Sequence, residues 1–135
     1  MKYTRPTGVR KGISKEFEVG NHKAMIKKVT RLPGDKKKKK DTFMIHLEGI
    51  HGESILSFLT FETPFTKENL QYLLASIEDN GVTIPDISFR YNRETYEFLF
   101  GKYVFINVAE GKYKGKKQNQ VTGFITLKEY QQENF

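Results

Sequence analysis

The strongest constraint on the fold is the strict alternation of apolar and polar residues in the segment TFMIHLEG. In an extended chain, successive side chains point to opposite faces, so Phe43, Ile45 and Leu47 share one face. Met44 and His46 share the other face. The segment therefore predicts a half-buried β-strand whose apolar side faces a core.

Four further segments have the composition of strands. In the stretch IHGES, Gly52 can adopt a positive φ and predicts a tight hairpin connection to the next strand. That strand, residues 54–62, is apolar on both faces, so it either closes a barrel or exposes an apolar face for a ligand. The other predicted strands are residues 17–32, with a bulge at Lys28, residues 102–108 and residues 120–127.

The region between the third and fourth strands predicts helices. Thr66 is a candidate N-cap, and Phe65 just before it is placed to pack back on the helix as a hydrophobic staple. Apolar residues then recur at the spacing of one helical face. A shorter helix is predicted over residues 93–100, with Asn92 as its cap.

This order of elements predicts a mainly β protein with an OB-fold, a five-stranded Greek-key barrel with a helical segment between strands three and four. The predicted OB-fold domain covers residues 15–128. It is preceded by a flexible basic N-terminal arm, residues 1–14, and followed by a loose polar tail, residues 129–135. In an OB-fold the loops between strands 1 and 2 and between strands 4 and 5 flank the ligand face, and here these are residues 33–41 and 110–118.

The distribution of charge points to the same two loops. The chain has 23 Lys and Arg and 16 Asp and Glu, a net charge of +7. Residues 31–41 and residues 110–118 together hold the whole of this excess. A polyanion would bind where the fold brings the two segments together. Lysine-rich loops also serve solubility alone, so a protein-interaction module with solvating lysines stays open as an alternative.

Composition excludes several classes of protein. Apolar residues make up 37% of the chain, too many for a wholly disordered protein. The absence of cysteine excludes disulfides, thiolate catalysis and cysteine-based zinc sites. The sequence has neither a long apolar stretch nor the apolar middle of a signal peptide, so we expect no membrane span and a cytoplasmic location.

No motif predicts catalysis. His22, His46 and His51 lack the spacing of a metal site. The glycine-rich stretch around Gly115 lacks the residue order of a phosphate-binding loop and precedes a strand instead of a helix. We therefore expect a protein that is not an enzyme and has no cofactor or metal.

Binding to nucleic acid fits the basic segments better. Lysines on loops can follow a flexible phosphate backbone, and only five of the 23 bases are Arg, the residue that favours reading of base edges. The predicted phosphate-binding residues are Lys28, Arg31, Lys36, Lys37, Lys38, Lys39, Lys40, Lys112, Lys114, Lys116 and Lys117. The predicted stacking or groove residues are Tyr113 first, then Phe58, Phe105, Phe124 and His46, with Met44 beside His46.

Short motifs resemble small single-stranded DNA-binding proteins of phages and prophages of Gram-positive bacteria. These motifs are EFEVGNHKAMIKKV, FLFGKYVFINV and the stretch from Tyr113 to Lys116. In that family a Gly-Lys pair opens the fourth strand, as Gly101-Lys102 would here, and a Tyr-x-Gly-Lys loop precedes the fifth. The similarity covers residues 15–127.

The resemblance implies an OB-fold, sequence-independent binding of single-stranded DNA, and a role in phage DNA replication or recombination in the cytoplasm of a bacterial host. It leaves open contacts with phage or host replication and recombination proteins, and a homodimer. An RNA-binding OB module is the other alternative, because the residues do not choose between DNA and RNA.

Overall fold

The computed structural model describes residues 16–35 and 40–132. The strands are β1 (Gly20–Leu32), β2 (Thr42–Gly49), β3 (Ser54–Thr60), β4 (Tyr103–Tyr113) and β5 (Lys116–Ile125). The helices are α1 (Thr66–Glu78), α2 (Arg93–Leu99) and α3 (Leu127–Gln131). All strand pairs are antiparallel and form one sheet in the order β3-β2-β1-β4-β5.

The central strand, β1, is long because it pairs with two neighbours. Residues 20–25 pair with β4, and residues 24–32 pair with β2. The register with β2 shifts between Ile26 and Lys28, so Lys27 is the extra residue of a bulge. An extra residue bends a strand and increases its twist, which lets one strand serve two partners in different directions. The bulge predicted at Lys28 is therefore present one residue earlier.

Over residues 16–35 and 40–132, the sheet does not close on itself. β3 and β5 are its two edges, and they approach each other without being paired. The helices α1 and α2 lie in the chain between β3 and β4, as predicted. The mainly β prediction is confirmed and the architecture is OB-like, but a closed barrel is not formed.

The apolar faces of the sheet and of α1 meet in one core. Phe43, Ile45 and Leu47 of β2 are buried, which confirms the alternation read from the sequence. On α1, Leu73 and Ile77 are fully buried in the same cluster. The helical period of α1 and the two-residue period of β2 therefore present their apolar sides to each other.

A buried serine joins α1 to β4. Ser76 Oγ accepts a hydrogen bond from the Phe105 amide at 2.6 Å and donates one to the Phe105 carbonyl at 3.2 Å. Ser76 is fully buried, so these bonds satisfy backbone groups that water does not reach. They hold the helix against the strand that leads into the β4–β5 hairpin.

The two helix starts differ in how well the sequence predicts them. The N-cap of α1 is Phe65, so the prediction of a Thr66 cap is wrong. The Thr66 hydroxyl instead donates to the Thr60 carbonyl at 2.7 Å, which ties the helix to the end of β3. Phe65 is 67% exposed, so it forms no staple. For α2, the predicted cap is confirmed: the Asn92 side chain accepts from the Thr95 amide at 2.9 Å.

The basic segment 110–118 is a hairpin and not the loop that the sequence predicts. β4 continues to Tyr113 and β5 begins at Lys116, which pair with each other. Only Lys114 and Gly115 connect them, with φ values of 51° and 79°. Positive φ at both central residues is the signature of a type I′ turn, whose twist matches that of paired strands. The lysines of this segment are therefore held on a strand ladder.

The end of the chain is also more ordered than predicted. Leu127, read as strand, begins α3, and the helix extends into the predicted loose tail. Thr126 and Glu129 form a capping box at its start. Tyr130 stacks on Phe105 with 4.5 Å between ring centroids, so α3 covers part of β4. Within the described part of the chain, no helix combines the length and apolar character needed to cross a membrane.

Candidate nucleic-acid interface

The outer face of β1, β2 and β3 carries side chains that point away from the core. In antiparallel strands, residues directly opposite each other project to the same side. The register gives two rows across the three strands. We call the residues of these rows the strand face: Lys28, His46 and Leu56 in one row, and Thr30, Met44 and Phe58 in the next.

Two apolar side chains of the strand face are open to solvent. Phe58 is 58% exposed and Leu56 is 44% exposed. Residues 54–62 predict either a closed barrel or an exposed apolar face, and the structure shows the exposed face on β3, which is also an edge of the sheet. The ring of Phe58 is therefore accessible to a flat partner such as a base.

Polar groups of the strand face surround these apolar side chains. His46 Nε2 lies 3.3 Å from the Thr30 hydroxyl, so the imidazole is held against β1. At the bulge, Lys27 Nζ forms an ion pair with Glu48 Oε2 at 3.0 Å. Its exposed neighbour Lys28 lies directly opposite His46 and supplies the cation of the strand face.

The charged side chains of the β4–β5 hairpin lie on both of its faces. Lys116 lies opposite Tyr113, so these two side chains share one face of the hairpin. Lys112 lies opposite Lys117 on the other face, where Lys117 Nζ is 3.5 Å from Glu110 Oε1. Tyr113 is 57% exposed and lines the groove described next. The face with Tyr113 is therefore the one that can meet a ligand in the groove.

An open groove with a volume of ≈ 1720 Å³ connects the strand face with the hairpin. Phe58 and Tyr113 both line it. The Asn119 side chain donates to the Phe17 carbonyl at 2.9 Å, and the Phe17 ring packs closely against Gly49. Since Gly49 ends β2, the hairpin rises beside the β2–β3 turn.

The segment between β1 and β2 lies at the opposite end of the strand face. Lys40, which is exposed, immediately precedes β2, and its Nζ donates to the Glu62 carbonyl. Glu62 follows the end of β3. One exposed lysine, Lys40, therefore lies at the end of β2 and β3 that is opposite the β2–β3 turn. Lys36, Lys37, Lys38 and Lys39 lie outside the described residues.

The groove itself is not basic between these ends. Besides the Lys27–Glu48 pair, its walls contain Glu16, Glu68 and Glu129. These carboxylates lie on the side formed by α1, α3 and the segment before β1, not on the strand face. Among the described residues that line the groove, the lysines are Lys27 and Lys28, and Lys27 is paired with Glu48.

Two predicted site residues lie elsewhere. Arg31 is opposite the buried Phe43, so it projects to the other side of β1, where its guanidinium lies 4.9 Å from the Tyr96 ring centroid. Phe105 is 5% exposed because Tyr130 stacks on it, so it is not accessible to a base. We therefore leave these two out of the candidate interface. Phe124 lines the groove, and it also packs against the core and is only partly exposed.

Two exposed aromatic residues of the groove are missed by the sequence reasoning. Tyr72 and Phe100 line the groove and are 42% and 59% exposed. Tyr72 lies outside the apolar stripe of α1, and this was the available signal, since an aromatic residue off the buried face of a helix has no core to enter. Phe100 follows the end of α2 and carried no comparable signal.

A carboxylate organises the β2–β3 turn beside the hairpin. Glu53 Oε1 accepts a hydrogen bond from the His51 amide at 2.8 Å. Burial raises the pKa of Glu53, but the backbone hydrogen bonds from its own amide and from His51, together with the nearby His51 and His22 charges, outweigh this and lower the pKa below its ordinary value. The ionised carboxylate therefore stabilises the end of the groove at which the hairpin rises.

Comparison of the sequence with models of protein families finds no match, and comparison with curated proteins finds none either.

Proposed function

We propose that the protein binds single-stranded DNA without sequence preference, through the strand face and the β4–β5 hairpin. The observation that carries this proposal is that exposed Phe58 and Tyr113 line one groove, with exposed Lys28 in its wall and exposed Lys116 opposite Tyr113 on the hairpin. Rings on which bases stack, combined with cations that follow the backbone, are the two components of sequence-independent single-strand binding. Each stacked base contributes about 1–3 kcal/mol.

We also propose that the sheet is an OB-fold barrel left open between β3 and β5. The shared strand β1, the helices between β3 and β4, and the approach of β3 to β5 support this. In OB-folds, the face of strands 2 and 3 and the loops 1–2 and 4–5 bind oligonucleotides. The strand face and the hairpin correspond to these elements.

The hairpin face that carries Tyr113 also supports a polyanion as the ligand. The exposed Lys116 lies directly opposite Tyr113 on this face, so a cation accompanies the ring. Lys112 and Lys117 lie on the other face, where Lys117 Nζ is 3.5 Å from Glu110 Oε1. The resemblance to phage proteins supports a role in phage or prophage DNA replication or recombination in the host cytoplasm, alongside proteins of those processes.

The test is binding of fluorescently labelled oligo-dT of about 16 nucleotides, the upper end of the site size of one OB-fold, followed by anisotropy across a salt series. We expect the logarithm of the association constant to fall linearly with the logarithm of the salt concentration, with a slope of about 0.7 for each phosphate contacted. A duplex of the same length should bind more weakly, since its bases are not open to stacking. Equal affinity for the two forms, or an affinity that does not change with salt, would refute the proposal.

A matched pair of phenylalanines tests the stacking contribution. Phe58→Ala should weaken oligo-dT binding about 5-fold to 150-fold, the equivalent of one stacked base. Phe65→Ala is the control, because Phe65 is 67% exposed but does not line the groove. Equal effects of the two substitutions would contradict the assignment of the groove.

Competition between oligo-U and oligo-dT decides between an RNA-binding and a DNA-binding module, and preference for oligo-U would overturn the choice of DNA.

A further inference from the structure

The outer side of the sheet continues beyond the strand face to β4. Tyr103, the first residue of β4, lies directly opposite Met25 of β1. Met25 lies opposite Glu48 of β2, which lies opposite Ser54 of β3. Residues directly opposite each other project to the same side, and Glu48 follows His46 by two positions, so this third row is on the same side of the sheet as the strand face. Tyr103 is the end of a row that crosses four strands.

A second exposed ring, Phe100, lies beside β1 next to the strand face. The Gly101 amide donates to the Ile26 carbonyl at 2.7 Å, and the Ile26 amide donates to the Lys102 carbonyl at 2.8 Å. Gly101, with a φ of 78°, provides the turn by which the chain passes from α2 to β4. Phe100 is 59% exposed and lines the groove together with Lys28 of the strand face. The ring is therefore held at the border between the strand face and β4.

A lysine accompanies Tyr103. Tyr103 is 47% exposed, and the exposed Lys23 has its Nζ 5.2 Å from the centroid of the ring. The same arrangement occurs in the β4–β5 hairpin, where Lys114 Nζ lies 5.4 Å from the centroid of Tyr113. A cation is attracted to one face of a ring and stays open to a phosphate, while the other face can take a base. Both ends of β4 thus carry an exposed ring with its own cation.

The charge of this part of the sheet suits a polyanion. The carboxylate of the third row, Glu48, is paired with Lys27 at 3.0 Å. Lys23 and Lys28 are exposed, and neither forms an ion pair with another described residue. Two cations are therefore open to phosphates on the path from the strand face to Tyr103.

We propose that the single strand bound at the strand face continues across β1, stacks one base on Phe100 and another on Tyr103, and places a phosphate at Lys23. This inference rests on the proposed function and adds a second segment to its site. Three inter-strand spacings, about 14 Å across the sheet, separate the strand of Phe58 from that of Tyr103. The two rings therefore take different nucleotides of one strand.

The absence of tryptophan allows a single ring to be tested in the full chain. Tyr103→Trp introduces the only indole, whose fluorescence is quenched when a base stacks on it. Oligo-dT of about 16 nucleotides should quench this fluorescence over the same concentrations at which the anisotropy of the labelled oligonucleotide rises. Phe65→Trp is the control, because Phe65 is 67% exposed and does not line the groove, and its fluorescence should stay unchanged.

Fluorescence and anisotropy together separate the two proposals. If the oligonucleotide binds but Tyr103→Trp keeps its fluorescence, or if Phe65→Trp is quenched as strongly, the second segment is refuted and the proposed function stands. If the anisotropy does not change even for the wild type, the proposed function fails and the second segment fails with it. Tyr103→Ala should weaken binding about 5-fold to 150-fold, and wild-type affinity in this variant would also overturn the second segment.

Two exposed lysines supply a matched pair for the phosphate contact. Lys23 lies over the Tyr103 ring, whereas Lys67 is on α1 and does not line the groove. Lys23→Gln should reduce the slope of the logarithm of the association constant against the logarithm of the salt concentration by about 0.7, the contribution of one single-strand phosphate. Lys67→Gln should leave the slope unchanged, and equal slopes for the two variants would overturn the contact at Lys23.

Discussion

Replacement of Ser76 by alanine tests how the core holds α1 against β4. The change removes a fully buried hydroxyl that both accepts from the Phe105 amide and donates to the Phe105 carbonyl. A buried donor left without a partner costs about 1–3 kcal/mol. Alanine regains up to about 0.5 kcal/mol through its higher helix propensity. We therefore expect Ser76→Ala to lower the free energy of unfolding by about 2 kcal/mol.

Urea denaturation followed by circular dichroism measures this difference. With a slope of about 2 kcal/mol per molar urea for a domain of this size, the midpoint should fall by about 1 M. Ser54→Ala is the matched control, because Ser54 is exposed on β3 and its replacement should change the stability by less than about 0.5 kcal/mol. A Ser76→Ala protein as stable as the Ser54→Ala protein would show that the two hydrogen bonds do not hold the helix and strand together.

Two further predictions concern the β2–β3 turn. Gly49→Ala should destabilise the protein by about 1–3 kcal/mol, because the added Cβ would lie 2.8 Å from the buried Phe17 ring and 2.6 Å from Glu53 Oε1; an unchanged melting temperature would contradict the close packing. Because the pKa of Glu53 is lowered in the folded state, its contribution to stability is present above the ordinary value of 4.5 and is lost as the pH falls through the folded-state value. The melting temperature should therefore fall at acidic pH less steeply for Glu53→Gln than for the wild type, and parallel pH profiles would show that this carboxylate does not contribute.

Patterns that depend on neighbouring residues could be read from the sequence. The alternation of β2 and the cap of α2 involve residues a few positions apart, and both are present as predicted. The exposed apolar face of β3 is one of the two structures that residues 54–62 predict, and the exposure of Phe58 and Leu56 decides in its favour. Phe58 and Tyr113 could be predicted from the sequence as candidate stacking residues, and both are exposed in the structure.

Features set by distant parts of the chain could not be predicted in this way. Phe105 has the pattern of a strand residue, but a ring from α3, Tyr130, determines that it is covered. A count of charges by segment does not show on which side of a strand each side chain lies. Arg31 was therefore expected at the phosphate-binding site, but it lies on the other side of β1, against Tyr96. The lysines and glycines of the hairpin are typical of a loop, and this composition predicts one. In the structure Gly115 provides the positive φ of a tight turn, so the pairing of β4 with β5 continues up to that turn.

The pairing order of the strands also determines the path by which the chain can fold. β1, β2 and β3 are neighbours in the sequence as well as in the sheet, and so are β4 and β5, so each group can form from local contacts. The seam between β1 and β4 is different: the Asn107 side chain donates to Asn21 Oδ1 across 86 residues. The chain loses conformational entropy when so long a segment is closed, and it does so before the new contacts stabilise the structure. Such long-range pairing slows folding to milliseconds or seconds. We expect the joining of the two groups at this seam to limit the rate, and until it occurs both sides of the future seam are open strand edges.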